Sequence, residues 1–207
     1  MKFETIEREG EKVTIPIPQS FRDCYKLCQS DLYRLYGKLP TLTKVIALAI
    51  FTPRSQKSLL IWLRFAAART KVWSKLFRGL YKWCSLKYNI NIPSSTKIGY
   101  GFFIGHGICI IVNKDTVIGN NVNISQFLNI GTNHRTPALI ADNVYLGPMC
   151  CVVEDVVIGH DSVIGAGAVV TKSVPSCSTA VGVPAKPINT HPQSYIDNPF
   201  PVKLMQQ

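Results

Sequence analysis

The chain has 207 residues, of which 46% are hydrophobic and 17% are charged. This composition excludes general disorder, and the length suits one domain with a substantial extension. The formal net charge is +11, but it is unevenly distributed. Residues 92–207 contain six Lys or Arg and six Asp or Glu, so the whole net charge falls on residues 1–91. The two halves of the chain are therefore expected to have different roles.

The cysteines and the apolar segments bear on cellular location. Seven cysteines is an odd number, and none follows a C-x-x-C spacing. We therefore expect reduced thiols in a cytoplasmic protein. The first 20 residues include acidic side chains and no apolar segment, unlike a secretory signal. The longest apolar run, residues 45–51, is too short to span a bilayer.

The N-terminal half is predicted to be a polar arm, residues 1–19, followed by a basic α-helical region, residues 20–90. Apolar residues at steps of three and four predict a helix over residues 21–36. Gly37 and Pro40 are expected to end it. A second helix is predicted over residues 43–51 and a third over residues 58–88, with Gly79 as the position where the third would break.

The third predicted helix carries a stripe of basic residues and three tryptophans. They are Arg64, Lys71, Lys75, Arg78 and Lys82, with Trp62, Trp73 and Trp83. One interpretation is a helix packed on the rest of the protein, with its cations in water. The alternative is a surface for an anionic membrane or a lipid-linked acceptor. Nucleic acid is not favoured as a partner, because the chain has no nucleic-acid-binding motif.

The C-terminal half is a repeat in which an aliphatic residue returns every six positions. The positions are Ile92, Ile98, Ile104 and Ile110; then Ile118, Ile124 and Ile130; then Ile140, Leu146, Val152, Ile158, Ile164 and Val170. This period is typical of a prism-shaped coil with one inward aliphatic on each face, so about four coils should stack as a parallel β-solenoid. Two extra residues interrupt the period between Ile110 and Ile118. Four more, between Ile130 and Ile140, predict a loop.

Two segments carry a resemblance to a known family. KIGYGFFIGHGICIIVNKDTVIGNNVNISQFLNIG and IGAGAVVTKSVPSCSTAVGVPAKPI resemble the first and last coils of the serine acetyltransferase branch of the hexapeptide-repeat acyltransferases. The chain is also similar to the related enzymes that O-acetylate capsule and lipopolysaccharide sugars. The resemblance implies a left-handed parallel β-helix over residues 91–188, followed by a tail at residues 189–207. It also implies acetyl-CoA as the acetyl donor, a hydroxyl acceptor, and a homotrimer or a dimer of trimers.

The resemblance assigns the general base to His106. A hydroxyl attacks a thioester poorly until a neutral imidazole takes its proton. The serine enzymes have one carboxylate fifteen residues before this histidine and another directly before it. Here those positions are Asn91 and Gly105. Asn91 is expected to orient the imidazole by a hydrogen bond, and the loss of both carboxylates favours a neutral acceptor over an amino acid.

The resemblance also assigns binding residues. His134 and Arg135, in the predicted loop, are expected to bind the acceptor. Small residues should line the groove for acetyl-CoA, with one backbone N–H facing the thioester oxygen. Those residues are Gly131, Gly147, Gly165 and Ala166, whereas Pro148 lacks an N–H. Lys172 and Lys186 are expected to meet the phosphates of CoA. No metal site is predicted, because the histidines do not reproduce the ligand pattern of the zinc carbonic anhydrases built on this fold.

The favoured function is O-acetylation of a surface-polysaccharide sugar or its lipid-linked precursor, in the cytoplasm or at the inner face of the membrane. The main alternative is serine O-acetylation for cysteine biosynthesis. Another small hydroxyl or amine acceptor, and a non-enzymatic assembly subunit of the same fold, are further alternatives.

Overall fold

The structure, a computed structural model, describes residues 1–52, 55–68, 73–133, 135–190 and 195–206. The chain begins with an antiparallel hairpin, β1 (Lys2–Arg8) and β2 (Glu11–Ile17). Helices α1 (Phe21–Tyr36), α2 (Leu42–Phe51), α3 (Gln56–Ala66) and α4 (Ser74–Tyr88) follow. A long series of short strands comes next, and α5 (Val202–Gln206) closes the described part of the chain.

The strands form three parallel sheets, and each coil of the chain gives one strand to each sheet. The first sheet contains β3 (Lys97–Ile98), β6 (Val117–Ile118), β9 (Leu139–Ile140) and β12 (Val157–Ile158). The second contains β4 (Phe103–Ile104), β7 (Asn123–Ile124), β10 (Tyr145–Leu146), β13 (Val163–Ile164) and β15 (Thr179–Val181), with β16 (Lys186–Asn189) antiparallel at its end. The third contains β5 (Ile111–Val112), β8 (Asn129–Ile130), β11 (Cys151–Val152) and β14 (Val169–Val170). Four coils therefore stack, which confirms the predicted left-handed parallel β-helix with an N-terminal helical region.

The repeat positions fill the centre of the β-helix. Ile118, Ile124 and Ile130 are fully buried, as are Ile140 and Leu146 one coil further on. Burying an aliphatic side chain of this size contributes about 1.5–3 kcal/mol. A stack of such residues is the main source of stability for the coils.

The first interruption of the period lies earlier than predicted. Val112, rather than Ile110, pairs with Ile130 of the next coil, and Ile104 pairs with Ile124. The two extra residues therefore fall between Ile104 and Val112, and from Val112 to Ile118 the period is intact. This places the insertion at the corner that carries His106.

The prediction of a polar arm over residues 1–19 is wrong. These residues form the hairpin β1–β2, which packs on one face of the β-helix. Val13 and Ile15 are fully buried and contact Leu139, Ala141 and Val157. The alternation of apolar and polar residues in EKVTIPI is the signal for this strand.

The first helix agrees with the sequence prediction, and the third does not. Ser20 and Asp23 form a capping box at the start of α1, and Gly37 ends it in the left-handed conformation. The region predicted as one helix over residues 58–88 contains two helices, α3 and α4. Gly79 lies inside α4, so it is not the point of the break.

A buried ion pair attaches the helices to the first coil. Arg64 of α3 makes two hydrogen bonds to the Asp31 carboxylate of α1, at 2.7 and 2.9 Å. The same guanidinium donates to the carbonyl of Ile98, and the backbone N–H of Phe102 donates to Asp31. Burial opposes the charge of Arg64, but the adjacent Asp31 carboxylate outweighs it and raises the pKa of Arg64. Arg64 was predicted to lie on a solvent-exposed basic stripe, which is wrong because it is buried in this network.

The C-terminal tail returns along the outside of the first coils. The Arg34 guanidinium donates to the backbone carbonyl of Asp197 at 2.8 Å, and the Asn123 amide donates to that of Tyr195 at 2.9 Å. The Phe200 N–H donates to Asn121, and the Phe200 ring packs edge-on against Tyr33. These contacts hold the tail beside α1 and the second sheet.

Within the described ranges, the helices are all too short or too polar to cross a bilayer.

Candidate active site

His106 lies on a bulge at one corner of the first coil. The Gly105 N–H donates to the carbonyl of Ile124 at 2.8 Å. The next hydrogen bond between the first two coils at this corner runs from the Phe127 N–H to the carbonyl of Ile108 at 3.0 Å. Between these two bonds the inserted residues leave the stack, and His106 adopts a left-handed φ of 46°. Its ring is exposed, and no residue in the described part of the chain hydrogen-bonds to it. The imidazole is thus free to engage a substrate.

A cleft of about 690 Å³ opens beside His106. Its floor is the second sheet, its sides come from α1, α3 and the C-terminal tail, and its volume is typical of ligand-binding clefts. Polar side chains that face it include Lys57, Asn123, Ser125, Tyr145, Tyr195 and Asp197.

Arg34 is a buried cation that hydrogen-bonds to two residues lining this cleft, Asn123 and Asp197. It donates to the carbonyl of Gly101 at 2.7 Å, to Asn123 Oδ1 at 2.7 Å and to the carbonyl of Asp197. Burial lowers the pKa of Arg34 to about 10, while the Asp31 and Asp197 carboxylates oppose that effect. All of these contacts fix the sheet and the tail relative to α1, so Arg34 positions the walls of the cleft.

Asn91, the residue predicted to orient His106, lies at the base of the β-helix. Its N–H donates to Ile110 at 2.7 Å, and its carbonyl accepts from Val112 at 2.9 Å. The side chain is exposed, and Asn91 does not line the cleft that His106 lines. Its role in orienting the imidazole stays a prediction.

The described residues of the loop after β8 do not line the His106 cleft. Arg135 is exposed, and its guanidinium lies 3.5 Å from the Asp155 carboxylate. Thr136 also donates its N–H to Asp155, which ties the loop to the next coil. His134 lies outside the described residues. Acceptor binding by His134 and Arg135 therefore stays a prediction.

The four residues predicted to line the acetyl-CoA groove differ in whether their backbone N–H is already used in a hydrogen bond between coils. The N–H groups of Gly131, Gly147 and Gly165 are all used in bonds between coils, to Val152, Ile164 and Ala180. Ala166 is exposed, and its N–H has no acceptor among the described residues. Ala166 is thus the member of the set with a backbone donor available to a ligand.

Ala166 and His106 lie at the same corner of the β-helix but three coils apart. The corner positions Ile108, Gln126, Pro148 and Ala166 stack on one another. At about 4.8 Å per coil, Ala166 is roughly 14 Å from the His106 level within one chain. A single group of atoms therefore cannot contact both, whereas an extended ligand along the corner can.

Lys172 and Lys186 are both exposed near the last coil. Lys186 begins β16, and its neighbour Ala185 donates to Val169 at 2.8 Å. Lys172 follows β14 of the third sheet, whereas Lys186 pairs with Val181 at the end of the second sheet. Their predicted contact with CoA phosphates stays a prediction.

Sequence reasoning missed the residues that reach the cleft from outside the β-helix, notably Lys57, Tyr195 and Asp197. Their signal was weak: Asp197 is the sole acidic residue after Asp161. Only the folded chain brings α3 and the tail to one corner.

A group of possible metal ligands lies elsewhere, where the hairpin meets the β-helix. One ligand atom from each of His160, Asp161 and Cys177 falls within 4.8 Å of the others. His160 Nδ1 lies 3.0 Å from Glu11. None of these residues lines the His106 cleft.

Comparisons with known proteins agree with the repeat. Residues 137–172 match the family described as bacterial transferase hexapeptide (six repeats). The chain is 36% identical over 102 residues to a serine acetyltransferase of Bacillus licheniformis, covering 47% of each chain. It is 32% identical over 124 residues to the enzyme of Escherichia coli K12, covering 56% of this chain and 45% of that one. The chain thus spans about half the length of the curated relatives that it matches.

Solved structures give the same result. The Neisseria gonorrhoeae serine acetyltransferase in complex with serine is 25% identical, with a TM-score of 0.64 over 82% of this chain and 71% of that one. The Vibrio cholerae serine acetyltransferase is 19% identical, with a TM-score of 0.66 over 86% of this chain and 69% of that one, which is a likeness of fold.

These comparisons overturn the preferred acceptor. The relatives and the structural neighbours are serine acetyltransferases, so the preference for a polysaccharide sugar is wrong and the serine alternative is the better supported. The resemblance read from the two coil segments is confirmed: residues 137–172 match a hexapeptide-repeat family, and about half of the chain is similar in sequence to serine acetyltransferases.

Proposed function

We propose that the protein transfers the acetyl group of acetyl-CoA to the hydroxyl of L-serine. The observation that carries this proposal is the imidazole of His106, free of partners in the described chain and facing a 690 Å³ cleft with charged walls. The similarity to serine acetyltransferases supports the choice of donor and acceptor.

The chemistry needs one proton carrier. His106 takes the proton of the serine hydroxyl as its oxygen attacks the thioester carbonyl. The tetrahedral intermediate then collapses, and the imidazolium returns the proton to the departing sulfur of CoA. The products are O-acetylserine and CoA.

Purified protein incubated with acetyl-CoA and L-serine tests the proposal. Free thiol should appear at a rate that depends on serine, and mass spectrometry should detect O-acetylserine in equal amount. Thiol release that is independent of serine would count against it.

The donor is proposed to run along the corner from His106 to the last coil, with its acyl group at His106 and Ala166 donating its N–H to the pantetheine portion. Ala166→Pro removes that donor, and Pro148 shows that proline fits the equivalent position one coil earlier. We expect the KM for acetyl-CoA to rise about tenfold, the effect of one lost hydrogen bond. Pro148→Ala is the matched control, and initial rates at varied acetyl-CoA give both values. An unchanged KM in Ala166→Pro would remove Ala166 from the donor site.

The active unit is proposed to be a homotrimer. Apolar side chains crowd the corner next to His106: Phe127 is 49% exposed, Met149 64% and Ile111 49%. Such a strip on a soluble surface is typical of an interface. Light scattering should give three times the chain mass, or six times if two trimers associate through the helices. A monomer at micromolar concentration would contradict the proposal.

The helix α4 is proposed to lie against the inner, cytoplasmic face of an anionic membrane. A cytoplasmic location is consistent with the seven free cysteines, because the cytoplasm keeps thiols reduced. Trp73 and Trp83 are about half exposed, and Leu86 is 67% exposed. Lys75 and Lys82 on the same helix are also exposed, and each basic group near an anionic surface contributes about 1 kcal/mol. Trp62, by contrast, is packed against Phe77.

Co-sedimentation with vesicles checks the membrane proposal. Binding is expected to vesicles with anionic lipid, to weaken at high salt, and to be absent with neutral lipid. Equal recovery with both kinds of vesicle would contradict it.

A further inference from the structure

We infer that Asp197 and Lys57 select an amino-acid acceptor by binding its ammonium and carboxylate groups beside His106. This inference rests on the proposed acetylation of serine and adds the residues that determine its specificity. Both residues line the His106 cleft, and neither belongs to the β-helix.

The position of Asp197 is fixed through its backbone, which leaves its carboxylate for a ligand. Its carbonyl accepts from Arg34 Nε at 2.8 Å. Two residues earlier, the carbonyl of Tyr195 is held by Asn123, and the Tyr195 ring stacks on Tyr145 with centroids 4.9 Å apart. The segment is therefore a fixed wall of the cleft.

The carboxylate of Asp197 has no ion-pair partner among the described residues. Arg34 is the nearby cation, but its hydrogen bonds within the described chain go to the carbonyls of Asp197 and Gly101 and to Asn123 Oδ1, and none goes to the Asp197 carboxylate. An anion held at the edge of a cleft without a partner is a strong acceptor for a cationic ligand, because charge-assisted hydrogen bonds exceed neutral ones.

Lys57 provides the opposite charge from the first turn of α3. Its side chain is half-buried, and its ammonium lies 5.4 Å from the centre of the Tyr36 ring. No carboxylate pairs with it in the described ranges of the chain. A free amino acid carries one ammonium and one carboxylate, so a cleft with one carboxylate and one ammonium side chain matches it in sign. The hydroxyl of a bound serine is then left for His106.

Three acceptor substrates allow the contact with Asp197 and the contact with Lys57 to be tested separately. L-Serine carries both charged groups, 3-hydroxypropionate lacks the ammonium, and 2-aminoethanol lacks the carboxylate. We expect Asp197→Asn to raise the KM for serine about 10- to 100-fold, the effect of one charge-assisted hydrogen bond, and to reduce the preference for serine over 3-hydroxypropionate by a similar factor. Lys57→Met should likewise raise the KM for serine, and it should reduce the preference for serine over 2-aminoethanol by a similar factor.

The controls distinguish selectivity from structure. The KM for acetyl-CoA should not change in either variant, and Asp197→Glu and Lys57→Arg should restore part of the preference. Asp115→Asn, an exposed carboxylate beside Lys114 and outside the cleft, should match the wild type. A structural role alone would lower turnover of all three acceptors equally, and that result would overturn the inference.

The outcome also separates this inference from the proposed function. If the wild-type protein does not acetylate serine, the proposed function fails and the inference fails with it. If the wild-type protein acetylates serine and both variants keep its KM and preferences, the inference alone is overturned.

Discussion

Replacing His106 with alanine is expected to lower acetyl transfer by about 10²–10⁴-fold, the usual effect of losing a general base. The fold should persist, because the ring is exposed and has no hydrogen bond within the described chain. A φ of 46° is less favourable for alanine than for histidine, so a small loss of stability is expected alongside the loss of activity. His106→Asn is a second variant, because asparagine tolerates this conformation well and still lacks the base.

Serine-dependent thiol release measures this effect, and thermal unfolding of the same samples measures stability. His160→Ala is the matched control: His160 is also exposed, but it lies against Glu11 and outside the cleft. We expect that variant to retain wild-type turnover. Full activity in His106→Ala would remove His106 from the mechanism.

Replacing Asp31 with alanine is expected to lower the free energy of unfolding by about 3–5 kcal/mol. Arg64 would keep its buried guanidinium, only 3% exposed, without its charge partner. The N–H of Phe102 would also lose its acceptor. The penalty is large because the charge cannot reach water.

Urea unfolding at one fixed protein concentration measures the loss, since association would otherwise change the apparent stability. Glu4→Ala is the control. Glu4 forms an ion pair with Lys97 at 2.6 Å, but both side chains are about 40% exposed. Exposed pairs contribute at most about 1 kcal/mol, so that variant should be close to wild type. A change below 1 kcal/mol for Asp31→Ala would show that the pair is not important for stability.

The fold could be predicted because each coil repeats the same physical requirement. One inward aliphatic per six residues is visible in the sequence without any tertiary information. The interruption was misplaced because Ile110 fits the period from Ile104 and is itself buried. In the structure Ile110 occupies a different buried position, one residue before β5, so hydrophobicity alone could not distinguish the two registers.

The site could be predicted only in part. His106 was found because it follows a repeat position within a recognisable segment. Lys57 and Asp197 were missed because they are separated by 140 positions in the sequence and meet only through the folded helices and tail. Arg64 was misassigned because a stripe of basic residues does not reveal which of them has a buried carboxylate partner.

The error about the acceptor has the same origin. Neutral residues at positions 91 and 105 were taken to exclude an amino acid, on the assumption that charge must come from those positions. The cleft instead receives a carboxylate from the tail. A site at the edge of a repeat can take its charged groups from any segment that packs there.

The bulge at His106 also bears on how such a protein can change over evolutionary time. The coils on both sides of it keep their register, since Gly105 bonds to Ile124 before the insertion and Ile108 bonds to Phe127 after it. Each coil contacts only its neighbours, so an insertion at a corner is absorbed locally and the interior does not need to be repacked. Corners of this β-helix are therefore positions where short insertions and deletions can add or remove reactive groups while selection on folding remains nearly unchanged.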